Sequence, residues 1–397
     1  MMKLIERPLY LNRLKSVIGT PDIKVITGVR RSGKSKLMDA FYQYLTQEDP
    51  SRNVIRIKLN LKENEALLDA EHLYQYVESA YVSGRENTLL IDEVQLCAGF
   101  EKIINSFYEE EKFDIYLTGS NAFLQSSDLA TLFGGRVFEI AMYPFSFREY
   151  LDYYTGLDVD DAFDAFTAIG GMSGAYLYRN RQDQLNYLRN VYQTTILRDI
   201  VERYRLNNED LLRHLAEYLM DTVGNRTSYR KLANTLTSRS YATNDKTVAS
   251  YLTYLCRSFL FYPVRPYNIK EKRYLESDTK YYLSDLGFRF AVIGTKDADY
   301  GHLYENMVAM ELLRRGYEVY VGKLYDKEVD FVAIKDGEKT YIQVSDDISR
   351  EETFQREITP LLAIRDAYPK MIIARTKHPE AQKEGVRIVD IARWLRS

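Results

Sequence analysis

Gly28-Val29-Arg30-Arg31-Ser32-Gly33-Lys34-Ser35 places two glycines around four residues and follows them with a lysine and a serine. Upstream, Asp22-Ile23-Lys24-Val25-Ile26-Thr27 reads as a buried strand; downstream, Lys36 to Leu45 sets apolar residues at helical spacing. Strand, glycine loop and helix together are the context that a phosphate-binding loop requires. Glycines let backbone amides approach phosphate oxygens, and the helix adds the positive end of its dipole. Gly28, Arg30, Arg31, Ser32 and Gly33 are therefore expected to wrap the phosphates of a nucleoside triphosphate, with Lys34 neutralising the β- and γ-phosphates. Ser35 offers a hydroxyl to Mg²⁺, a cation that prefers hard oxygen ligands.

A second apolar strand, Thr88-Leu89-Leu90-Ile91-Asp92-Glu93, ends in two adjacent carboxylates, the Walker B pattern. Asp92 is placed to hold the metal, and Glu93 to orient and deprotonate the attacking water, so that binding becomes hydrolysis. The run Phe113 to Asn121 is another strand breaking into small polar residues, where Ser120 and Asn121 are candidate γ-phosphate sensors.

The 397 residues imply two or three domains, because single cores stop growing near ~250 residues. Only two cysteines occur, Cys97 and Cys256, and with no apolar signal core or long apolar span the expectation is a cytoplasmic protein that does not enter a membrane. Four scattered histidines argue against a structural zinc site. Charge is distributed unevenly. Thr222 to Glu276 carries ten Lys or Arg against three acids, a net +7, which leaves −10 for the rest of a chain whose total is −3. Such a basic segment suits a partner rich in phosphates.

Along the chain, strand and helix patterns alternate to about Tyr150, which predicts an α/β fold with a parallel sheet covered by helices on both faces. A helical linker follows over 151–205, interrupted at Gly170-Gly171-Met172-Ser173-Gly174, a turn or hinge. Over 206–276 the pattern is helix, helix, helix and hairpin, a winged helix-turn-helix, whose third helix normally enters a DNA major groove, although many winged helices inside ATPases pack or dimerise instead. Ser228 and Asn244 are its candidate N-caps. Lys246, Ser250, Thr253, Tyr254 and Arg257 fall off the apolar stripe of that third helix, and Lys246, Ser250 and Arg257 are candidate DNA contacts. Over 277–397 a helix from Glu305 to Arg314 and three strands resemble the core of the restriction-endonuclease-like superfamily. In that superfamily a helical Glu, a strand Asp, and a Glu or Gln with a Lys two residues later gather a divalent metal. Glu305, Asp330 and Gln343 match those places, but Ser345 stands where the lysine belongs, and a hydroxyl cannot replace an ammonium. A vestigial site without nuclease activity is the expectation.

Ile5 to Tyr10, Gly28 to Ser35, Leu90-Ile91-Asp92-Glu93-Val94-Gln95, Leu117 to Asn121, Gly135-Arg136, Pro144 to Tyr150, Lys280 to Gly287 and Tyr304-Glu305-Asn306 jointly resemble the bacterial and archaeal AAA+-type ATPases with a DUF4143 C-terminal region. The resemblance implies ATP as nucleotide, a sheet with the sensor strand between the P-loop and Walker B strands, and Arg136 as a charge reaching the γ-phosphate of its own or a neighbouring subunit in a homo-oligomer. Three functions stay open on these residues: an Mg²⁺-dependent ATPase coupled to a module that contacts duplex DNA, a slow nucleotide-gated switch with a protein partner, and an ATP-driven metal-dependent nuclease.

Overall fold

The computed structural model describes residues 5–119, 131–275, 278–295 and 298–397. The chain divides into two compact units, Met1–Met142 and Tyr143–Ser397.

In the first unit, β1 (Ile23–Thr27), β2 (Asn53–Lys58), β3 (Asn87–Asp92), β4 (Asp114–Thr118) and β5 (Val137–Ala141) form one sheet in the order β2-β3-β4-β1-β5, every pair parallel. The helices are α1 (Pro8–Lys15), α2 (Lys34–Glu48), α3 (Ala70–Ser79) and α4 (Phe100–Glu109). Every residue of β1 and β3 is buried, as parallel strands covered on both faces require. Alternate side chains feed opposite cores. Ile23, Val25, Leu89 and Ile91 join Leu73, Val77 and Phe107 from α3 and α4, whereas Ile26, Leu90 and Tyr116 join Leu14, Leu37 and Phe41 from α1 and α2. The expected sheet, with β4 between β1 and β3, is thus present.

The second unit starts earlier than the expected boundary at Tyr150. Ser146 and Glu149 make a reciprocal capping box for the Phe147–Tyr153 helix, and Phe147 packs on Phe163 and Phe166 of the Val159–Ile169 helix. The glycines after that helix form a close crossing and not a hinge: a Cβ on Gly171 would lie 2.1 Å from the Phe145 carbonyl oxygen, and one on Gly170 would lie 1.9 Å from the Asp285 carboxylate. The Arg181–Thr194 helix continues as a π-helical segment, Thr195–Glu202.

Helices Glu209–Asp221, Tyr229–Ser238 and Asp245–Arg257 follow, the last two capped by Ser228 and Asn244 as expected. The strands after them pair differently from a local hairpin. β6 (Phe261–Val264) pairs antiparallel with β9 (Lys280–Leu283), whereas β7 (Pro266–Asn268) and β8 (Arg273–Tyr274) extend a larger sheet. That sheet adds β10 (Glu318–Leu324), β11 (Lys327–Lys335), β12 (Glu338–Ser345), β13 (Lys370–Ala374), β14 (Ala381–Lys383) and β15 (Val386–Asp390), in the order β14-β15-β13-β12-β11-β10-β7-β8. The strand pairings therefore cross the expected boundary between residues 276 and 277. The Tyr300–Arg314 helix packs on β10 to β12, and the Glu351–Leu362 helix packs over Val332, Tyr341 and Ile372.

Candidate functional site

The loop after β1 is built around close approach. Gly28 has φ 136°, and a Cβ there would lie 2.0 Å from the carbonyl oxygen of Met142, whose own N–H donates to Thr27 O at 2.9 Å. Backbone pinned at the sheet edge cannot yield, so Gly28→Ala should cost at least ~1–3 kcal/mol of stability and distort the loop. Thermal unfolding and binding of a fluorescent nucleotide check this; a variant with the wild-type midpoint and affinity would contradict it. Gly33 is left-handed at φ 105° and gives α2 no side-chain cap, so the amino end of that helix keeps its amides for an anion.

Lys34 is buried, and its Nζ donates to Gly28 O at 2.8 Å and Val29 O at 3.0 Å. Those carbonyls hold the ammonium over the loop. Arg7, which the sequence singled out only as part of a motif, braces the loop from below: its buried Nη1 donates to Ser32 O at 3.0 Å, and its guanidinium lies 4.5 Å from the Tyr10 ring centre. Arg30 and Arg31 sit on the outer turn, Arg31 exposed and left-handed at φ 62°.

Ser35 from α2 and Asp92 from β3 meet, the serine hydroxyl donating to Asp92 Oδ1 at 3.1 Å. Thr118, at the end of β4, also donates its hydroxyl to Asp92 Oδ1 and accepts the Glu93 amide N–H at 3.1 Å. The interposed position of β4 makes this contact, and sequence gave weight instead to Ser120 and Asn121, which lie outside the described residues. Asp92 Oδ2 is buried without a hydrogen-bond partner among the described residues. Burial pushes the Asp92 carboxyl up, against the hydrogen bonds from Thr118 and Ser35. An unsatisfied buried carboxylate oxygen beside a hydroxyl is a fitting donor set for Mg²⁺. Glu93 leaves β3 in the left-handed region at φ 59°, and the Gln95 side-chain amide donates to its Oε2. An uncommon backbone conformation of this kind accompanies functional positions.

Arg136 is placed elsewhere. It precedes β5, whose first residue pairs with Ile23 at the amino end of β1, and its carbonyl accepts the Ile23 N–H at 2.9 Å. The loop lies beyond the other end of that five-residue strand, roughly 17 Å away along the sheet. Arg136 pairs with Glu109 and lies 4.9 Å from the Tyr108 ring centre. The reading in which it reaches the phosphates of its own chain is corrected accordingly.

In the second unit, Glu305, Asp330 and Gln343 come together, each hydrogen-bonded within the protein. Glu305 Oε1 accepts from Lys280 Nζ at 2.7 Å and from the Tyr282 hydroxyl at 2.6 Å. Gln343 accepts the Asp330 N–H at 2.8 Å and donates to Glu357 at 2.8 Å, so its amide is spent on structure. Among the described residues, no group of three or more His, Cys, Asp or Glu could hold a metal ion. On the Asp245–Arg257 helix, Lys246 and Ser250 are exposed and Arg257 is half-buried. The hydroxyls of Ser250 and Thr253 donate back to the carbonyls of Lys246 and Ala249, and Tyr254 stacks on Tyr204 with ring centres 3.7 Å apart. Tyr254 thus packs on Tyr204 although it falls off the apolar stripe. Among the described residues no helix is long and apolar enough to cross a membrane.

Known proteins agree with the first unit and revise the second. The AAA domain family matches residues 20–151. A domain of unknown function, DUF8612, matches residues 160–299, where the motifs had suggested DUF4143. An uncharacterized protein of Methanocaldococcus jannaschii is 26% identical over 375 residues, 90% of this chain and 82% of that protein. Among solved structures, AMPPCP-bound DnaA from Aquifex aeolicus is 18% identical with a TM-score of 0.33, covering 64% of this chain and 89% of that one. An uncharacterized protein of Haemophilus influenzae is 37% identical over 399 residues, spanning 99% of this chain and 98% of that protein. The chain carries a P-loop AAA domain and belongs to one family with the Haemophilus influenzae protein.

Proposed function

We propose that the chain binds ATP with Mg²⁺ and hydrolyses it, and that nucleotide state is coupled to a module contacting duplex DNA. The observation that carries this reading is the buried, unsatisfied Asp92 Oδ2 beside the Ser35 hydroxyl, next to a loop with a buried lysine at its mouth. Ser35 and Asp92 would hold the cation, whose positive charge stabilises the phosphoryl group in transfer. Lys34 exchanges its two carbonyl acceptors for phosphate oxygens. Thr118 fixes the Asp92 carboxylate and the Glu93 backbone, and Glu93 takes the proton of the attacking water. Ser120 and Asn121 remain the proposed γ-phosphate sensors, and Arg136 is proposed to serve a neighbouring copy.

The same reading takes 1–150 as the ATPase domain, 151–205 as a lid, 206–276 as a winged helix-turn-helix and 277–397 as a restriction-endonuclease-like domain without nuclease activity. Its support is the run of three packed helices with capped starts, and the helix, three strands, helix and strand of the C-terminal sheet. Because Ser250 and Thr253 bond to their own helix, the proposed DNA contact is electrostatic, through Lys246, Arg257 and neighbouring cations to phosphates, with Ser250 at its edge.

ATP turnover measured with and without duplex DNA tests the proposal. Turnover should require Mg²⁺, disappear in Lys34→Ala, rise with DNA, and increase per chain with protein concentration if Arg136 acts in trans. DNA affinity should fall steeply with added salt as counterions are released. Mg²⁺-independent turnover would remove the cation role of Ser35 and Asp92, and turnover kept by Lys34→Ala would remove the ATPase assignment. A flat salt response would remove DNA and leave the nucleotide-gated switch with a protein partner.

A further inference from the structure

We propose that the Lys280 side chain is the permanent cation of the acidic centre formed by Glu305, Glu328 and Asp330, and that this centre works without a metal ion. Lys280 and Tyr282 alternate along β9 and so face one way, and both reach Glu305 Oε1, at 2.7 and 2.6 Å. The same Nζ lies 2.6 Å from Glu328 Oε1 on β11, and the other oxygen of Glu328 pairs with Arg226 Nε at 2.5 Å. His302 approaches Glu305 Oε2 at 3.3 Å. The Asn306 side chain donates to Leu283 O at 2.9 Å and accepts the Leu283 N–H at 2.7 Å, fixing the helix that carries Glu305 to the strand that carries Lys280.

The Lys280 side chain is 3% exposed and that of Glu305 is 6% exposed, so neither charge is left to water and each requires the other. The Asp330 carboxylate is turned to the backbone, its Oδ2 accepting the Val344 N–H at 2.8 Å. A divalent cation needs deprotonated oxygens at the spot the ammonium holds, and would meet a like charge. The network Arg226, Glu328, Lys280 and Glu305 joins the loop before the Tyr229–Ser238 helix to β11, β9 and the Tyr300–Arg314 helix. The ammonium thereby does the cross-linking that a metal does elsewhere. This inference is independent of nucleotide hydrolysis.

Mn²⁺ uptake, read by electron paramagnetic resonance without nucleotide, is compared between the wild-type chain and the double variant Glu305→Gln, Asp330→Asn, shown to be folded by its circular dichroism; only uptake lost in the folded variant counts, so a cation at the P-loop does not enter. The expected result is no difference. In parallel, Lys280→Met should shift the unfolding equilibrium toward the unfolded state by roughly 100- to 1,000-fold, and Lys280→Met with Glu305→Gln should recover most of that shift. Mn²⁺ uptake that the double variant abolishes overturns the proposal, as does a Lys280→Met protein with wild-type stability. DNA cleavage dependent on Mn²⁺ and on Lys280 overturns it too. If Lys280→Met does not fold, the wild-type Mn²⁺ comparison decides alone.

Discussion

Glu93→Gln should lower ATP turnover by roughly 10²- to 10⁴-fold, the usual contribution of a positioned general base, and leave ATP affinity essentially unchanged. Gln retains the shape of Glu and can still meet the Gln95 amide, which now donates to Glu93 Oε2. The backbone arrangement should persist as well, since the Glu93 amide bonds to Thr118 and the left-handed conformation at φ 59° is a property of the strand exit. What disappears is the capacity to accept a proton. Affinity is expected to survive because the proposed phosphate contacts come from the loop between Gly28 and Ser35, which follows a different strand. Equilibrium nucleotide binding and steady-state turnover, measured on one preparation, separate the two properties. Turnover within about tenfold of the wild type would mean that another group activates the water, and a matching loss of affinity would assign Glu93 a structural part.

How much of this was legible in the chain depends on whether a feature is local. Ile23 to Ile26 and Leu89 to Ile91 read as strands because parallel strands covered on both faces leave continuous apolar runs, and both are buried strands of the sheet. The Ser228 and Asn244 caps were equally local. Pairing was not. The side chain of Thr118 meets Asp92 only because β4 lies between β1 and β3, and the motif put its emphasis two residues further on. Arg136 precedes β5, and a residue that precedes a parallel strand lies at the end opposite the loop. Lys280 entered the sequence reading only as the first residue of a motif run: the lysine that opens β9 becomes the partner of Glu305 only when β9 pairs with β6 and the Tyr300–Arg314 helix packs on it.

Asp92→Asn should lose activity and gain stability together. Turnover should fall by roughly 100-fold or more, because a metal that neutralises phosphate charge supplies several kcal/mol of transition-state stabilisation and Asp92 is its proposed protein anchor. Without nucleotide, the variant should unfold at a higher temperature than the wild type. The Asp92 side chain is buried, its Oδ2 lacks a partner among the described residues, and burial raises its pKa despite hydrogen bonds from Thr118 and Ser35. A carboxyl whose folded pKa exceeds its unfolded value binds a proton more tightly when folded. Its contribution to stability is therefore greatest below the unfolded pKa and is lost as pH rises through the raised value. The variant's advantage should accordingly be small in acid and complete at neutral pH. Mg²⁺ and ATP should reverse the order, since a ligand that binds only the folded wild type stabilises it by mass action. Thermal unfolding in EDTA across the acid-to-neutral range, repeated with Mg²⁺-ATP, reads both halves. An Asn variant less stable than the wild type in EDTA at neutral pH would show that the carboxylate is already satisfied without a cation, and would take away the observation on which the metal assignment rests.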